Sequence, residues 1–96
     1  MLRENFIAVL QATSKAAEVN CNDMLSDSKR LEVVDARSVA IKILAEAGYC
    51  PCRIARFFHK TEASVRHTLN NFELRLESNK ILEKILQNTR KILANK

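Results

Sequence analysis

Ninety-six residues make one domain, because so short a chain cannot divide its apolar residues between two cores. The composition is 47% hydrophobic with one Gly and one Pro, which leaves little material for hairpin turns and predicts an all-α helical bundle of about five to six helices. A net charge of +5 favours a polyanionic partner, and no apolar run approaches the roughly 20 residues that a bilayer span needs, so no membrane partner is expected.

In chain order, Leu2, Phe6, Val9, Leu10, Thr13 and Ala17 recur at steps of three and four and predict an amphipathic helix over residues 3 to 18. "NCNDMLSDSKR" then breaks the period, leaving Met24 and Leu25 for a single helical turn capped by Asn22, with Lys29 and Arg30 in a loop. Val33, Ala36, Ala40, Ile41, Leu44 and Ala45 mark a long helix from Glu32 to Ala47, and Gly48 is its left-handed stop.

Cys50-Pro51 opens a third helix, proline being suited to the first helical position, with Ile54, Ala55, Phe57 and Phe58 facing inward. Thr61 is an N-cap, and Glu62 suits the positive end of the helix that follows; Val65, Leu69, Phe72 and Leu76 form its buried face. Ser78-Asn79 is the one expected interruption after that, before a last helix outlined by Ile81, Leu82, Ile85, Leu86, Ile92 and Leu93 to about Asn95; a single continuous helix from Thr61 onward is the alternative. Its apolar face is expected to cover the bundle, or else to mediate a homodimer or a protein contact.

Two helices joined by a tight turn, with small Ala55 at their crossing, His59 ending the first and Val65 anchoring the second, match a helix-turn-helix. The turn position held by His59 commonly carries Gly, so His59 must be left-handed or the turn must be looser. In this arrangement the start of the second helix reaches base edges while nearby Lys and Arg hold phosphates, which makes double-stranded DNA the expected partner. The exposed face of Lys60, Ser64, Arg66 and His67 is weighed against a plain solvated surface; Arg53 and Arg56 read equally as phosphate contacts or as surface.

The order of elements sharpens this expectation. "CNDMLSDSKRLEVVDARSVAIKILAE" followed by "YCPCRIARFFHKTEASVRHTL" resembles the C-terminal DNA-binding domain of the bacterial chromosomal replication initiator DnaA, with its Trp-repressor-like helix-turn-helix. The resemblance covers roughly residues 3 to 93. It implies a minor-groove contact from the loop of Lys29 and Arg30, and backbone phosphate contacts from Arg37 with Ser38 beside it. The family's recognition helix begins Asp-His-Thr-Thr-Val, and Thr61, Glu62, Ala63, Ser64 and Val65 stand there in this chain, so the fold and duplex binding carry over while the family's base pattern does not. Glu62 can accept from cytosine N4, and Ala63 or the Thr61 methyl can pack on a thymine methyl. The implied role is replication initiation or its regulation, with a transcriptional regulator, or a helical protein-interaction module that has lost DNA binding, as the alternatives. The nucleotide-binding motor of true initiators is missing, so no nucleotide is expected.

No enzymatic signal appears: one glycine cannot build a phosphate-cradling loop, and neither HExxH nor GxSxG occurs. Neither catalysis nor a cofactor is expected. Three cysteines, an odd number, without a secretory leader suggest a reducing, cytoplasmic setting and no disulfide. Cys50-Pro51-Cys52 with His59 invites a zinc reading, but the spacing is too short for a structural site and a fourth ligand is not evident, so no metal is expected. The expectation is a helix-start turn with small buried thiols, Cys21 likewise packing inside.

Overall fold

The computed structural model describes residues 5–94, and these form an all-α bundle: α1 (Phe6–Ala17), α2 (Cys21–Met24), α3 (Leu31–Glu46), α4 (Pro51–Phe58), α5 (Glu62–Ser78) and α6 (Lys80–Ala94). Leu2, Arg3 and Asn95, which the periodicity assigns to the first and last helices, lie outside the described residues.

Several boundaries have a local cause. The Asn5 side chain accepts from the Ala8 N–H at 2.8 Å and starts α1. The cap of α2 is Asn20, not Asn22: its side chain accepts from the Asn22 N–H at 2.7 Å, so the turn begins at Cys21 and Leu25 is left as its C-cap. Gly48 ends α3 at φ 105, where the Tyr49 N–H reaches back to the Leu44 carbonyl and the Gly48 N–H to that of Ala45, both at 3.1 Å. Asn79 is extended, and its side chain accepts from the N–H groups of Ile81 and Leu82, each at 3.1 Å. The chain therefore breaks there, and α5 and α6 are separate helices.

α3 is the central strut. Val33, Ala36, Val39, Ala40 and Leu44 are sealed from solvent, and α3 packs against every other helix. α1 lies along α6 and α3, while α5 lies on α4 and α3. Phe58, Phe72, Met24, Ile54 and Leu82 fill the space between them. Burying side chains of this size stabilises the fold by about 1.5–3 kcal/mol each relative to leaving them exposed. At one edge Phe6 stacks on Phe57 with ring centres 4.4 Å apart and meets Phe58 edge-on at 5.5 Å. The buried hydroxyls of Thr13 and Thr89 donate to the carbonyls one turn back, Val9 and Ile85, which lets two polar residues sit in an apolar interior.

Candidate nucleic-acid interface

The helix-turn-helix consists of α4, the three residues His59, Lys60 and Thr61, and α5. His59 takes the left-handed of its two expected conformations, at φ 55 and ψ 40. That conformation lets the Lys60 N–H reach the Ala55 carbonyl at 2.9 Å and the His59 N–H that of Arg56 at 3.3 Å, closing α4 in one residue. Thr61 then starts α5, its hydroxyl accepting from the Ser64 N–H at 3.1 Å. Buried Ile54, Ala55, Phe58, Val65 and Phe72 lock the pair against α3.

This packing leaves Thr61, Glu62, Ala63, Ser64, Arg66 and His67 on an open face, all exposed. Its charges are largely matched internally. Arg66 donates from Nε at 2.9 Å and Nη2 at 2.6 Å to Glu62 Oε2. Both side chains are open to water, so this pair is weak and its guanidinium is available to a stronger anion.

The loop between α2 and α3 is fastened to the turn. Lys60 Nζ donates to Asp27 Oδ1 at 2.9 Å, and this contact holds the Asp27 carboxyl below its ordinary range, first through the hydrogen bond and then through the Lys60 charge, with Lys29 and Arg37 adding to it. Arg30 pairs with Asp23 at 3.1 Å. Lys29 is exposed and has no acidic partner among the described residues.

Two residues of the expected phosphate set are committed elsewhere. Arg37 donates to the carbonyls of Met24 and Ser26 at 2.9 Å and of Ser28 at 3.3 Å, so it caps α2 and shapes the basic loop from behind. Burial draws its guanidinium below the ordinary arginine value while the Asp27 charge opposes this. Ser38 is 4% exposed; its hydroxyl donates to the Val34 carbonyl and accepts from Arg75 Nη1, both at 2.9 Å. It is an interior residue rather than a phosphate contact, because α5 crosses over its position on α3.

That crossing holds what the sequence reading missed. Arg75 of α5 bridges Ser38 and the buried carboxylate of Asp35 on α3. The available signal was an acid on the apolar side of a core helix, since Asp35 stands one turn before Val39, and a buried carboxylate demands a cation. Next to this bridge, Val34, His67, Thr68, Asn71 and Leu74 line an open groove of about 570 Å³ that continues the exposed face of α5.

The thiols at the start of α4 are a correction. Cys50 and Cys52 are exposed rather than buried, because Cys50 precedes the helix and Cys52 stands two residues from Ile54, on roughly the opposite face. Cys21 is half-buried against the core, its thiol directed at the Leu10 carbonyl at 3.9 Å. Among the described residues no group of three or more His, Cys, Asp or Glu side chains gathers as metal ligands would, and no helix is long and apolar enough to cross a membrane. No protein-family model matches this chain, and no curated protein matches it.

Proposed function

We propose that this chain binds double-stranded DNA through the α4–α5 helix-turn-helix, setting the first two turns of α5 in the major groove and the loop of Lys29 and Arg30 beside the neighbouring minor groove. The observation that carries the reading is the exposed start of α5, held by a Thr61 cap and tied through Lys60 to Asp27 of the basic loop. The loop and the start of α5 thus lie side by side and can meet one duplex together, and Lys60 can exchange Asp27 for phosphate because the Asp27 side of the pair is open to water. In this reading Glu62, Ala63, Ser64, Arg66 and His67 face bases, with Lys29, Arg30 and Lys60 on phosphates. Arg37 and Ser38 act from behind, shaping the loop and the α3–α5 crossing. The resemblance to the DnaA C-terminal domain makes control of replication initiation the first role to test, and transcriptional regulation the second.

The competing reading is a protein-interaction module. Glu62 favours it, since a carboxylate on the groove-facing turn meets phosphate repulsion and neutralises Arg66. So does Leu74, 65% exposed beside the groove on α5.

Selection from random duplex DNA, then anisotropy on the enriched and scrambled duplexes across a salt series, separates the two. The DNA reading expects a recovered motif and an affinity that falls with salt at a slope near 0.9 per phosphate contacted. Equal, weak binding to every duplex would sink it and direct the search to protein partners.

A further inference from the structure

The cysteine pair at the head of α4 has no part in the DNA reading. Cys50 is the N-cap of α4 and Cys52 its second residue, separated by Pro51. Their sulfurs lie 3.9 Å apart, and both are exposed. An open depression of about 430 Å³, lined by Ala47, Gly48, Tyr49, Cys50 and Arg53, gives a small molecule access to the first thiol. Arg53, held over the Tyr49 ring at 5.7 Å, supplies positive charge at its edge.

We infer that Cys50 and Cys52 form a redox-active dithiol that exchanges with small anionic disulfides and closes reversibly into a ring across Pro51. The sulfurs need to approach by less than 2 Å to reach a bond of about 2.05 Å, and no other side chain has to be displaced from the core because both thiols already face solvent.

The two thiols are also chemically unequal. Cys50 makes no capping hydrogen bond, yet the nearby Arg53 N–H, and after it the Cys52 thiol, hold it below the ordinary thiol range. Cys52 is held above that range by its hydrogen bond to Cys50 and then by the Cys50 charge, with Glu62 adding and Arg56 opposing. Cys50 is therefore the attacking thiol and Cys52 the resolving one, since the thiolate is the nucleophile.

The exchange balances with the external disulfide as oxidant. The Cys50 thiolate attacks one sulfur of RS–SR, forming Cys50–S–SR and releasing RS⁻. Cys52 gives its proton to solvent, and its thiolate attacks the Cys50 sulfur, forming the ring and releasing the second RS⁻. Two electrons pass from the dithiol to RS–SR, which leaves as two thiolates, and the reverse sequence reopens the ring.

The test treats the reduced intact protein with oxidised glutathione and follows intact mass and peptide maps over time, for the wild type, Cys50→Ser and Cys52→Ser. The expected wild-type product lacks two hydrogens, keeps no glutathione and maps to Cys50-Pro51-Cys52, with Cys21 still free. Cys52→Ser is expected to stop at one glutathione adduct on Cys50, formed several-fold faster than the adduct that Cys50→Ser forms on Cys52. Stable adducts on both thiols of the wild type, or a disulfide-linked dimer in place of the ring, would overturn the proposal. Equal adduct rates in the two variants would overturn the division of roles.

Discussion

His59 holds a left-handed backbone without being glycine, a conformation that costs an L-residue roughly 1–2 kcal/mol. Gly there removes that cost and adds unfolded-state entropy, so His59→Gly is expected to raise stability by about 0.5–1 kcal/mol in urea unfolding. A loss would mean that the imidazole contributes a contact of its own. Two residues on, Thr61→Ala removes the hydroxyl that accepts from Ser64 and is expected to cost about 1 kcal/mol, seen as a lower unfolding midpoint. Between them, Lys60 holds Asp27, whose carboxyl has a folded pKa below its unfolded value. That contact is fully formed above the ordinary aspartate value and is lost as pH falls through the depressed one. Side-chain NMR should place the Asp27 titration below the usual aspartate range and move it back toward that range in Lys60→Ala, Lys29 and Arg37 still lowering it; an unchanged midpoint in the variant would remove Lys60 as the cause.

At the scale of elements, the seam between α3 and α5 carries a buried polar bridge, Arg75 with Asp35 and Ser38, besides the more open pair of Lys42 with Glu73 at 3.4 Å. Arg75→Met leaves the Asp35 carboxylate, 2% exposed, without its cation. Loss of one partner from a fully buried pair costs about 3–5 kcal/mol, and the part-open Arg75 places this case toward the lower end. Adding Asp35→Leu is expected to restore part of the loss, because two apolar groups replace an orphaned charge; a double variant less stable than Arg75→Met alone would contradict this. The helices themselves were legible from spacing, and Gly48, Pro51 and Thr61 announced ends through local chemistry, while the break at Asn79 stood against one continuous helix until its side-chain cap of Ile81 and Leu82 decided it. The bridge was half legible: Asp35 on the apolar side of α3 calls for a cation, but nothing local says that this is Arg75, 40 residues further along the chain. Arg37 and Ser38 read as phosphate contacts only through the family resemblance, whereas their places depend on α5 bringing Arg75 to Ser38 and on α2 and its loop bringing their carbonyls to Arg37. The exposure of Cys52 was legible and overlooked, since it stands two residues from inward-facing Ile54, whereas Cys50 precedes α4 and the helical period does not place it.

Taken as a whole, the molecule carries its excess of positive charge on a surface where the nearest acids already neutralise most of the cations beside α5. Arg66, Lys60 and Arg30 each have a carboxylate partner, so duplex binding requires phosphate or base to compete with exposed, weak ion pairs. Glu62→Gln frees Arg66 and removes a repelling charge; it is expected to tighten binding to non-cognate duplex and to steepen the salt slope by about 0.9, measured by anisotropy. The most direct test of the central claim is a titration of an enriched duplex into isotope-labelled protein, followed by amide shifts residue by residue. The DNA reading expects the largest shifts in Glu62 to His67 and in the loop from Ser26 to Arg30, with α1 and α6 unmoved. Shifts confined to α6 or to the Val34–Leu74 groove, with the start of α5 silent, would contradict it.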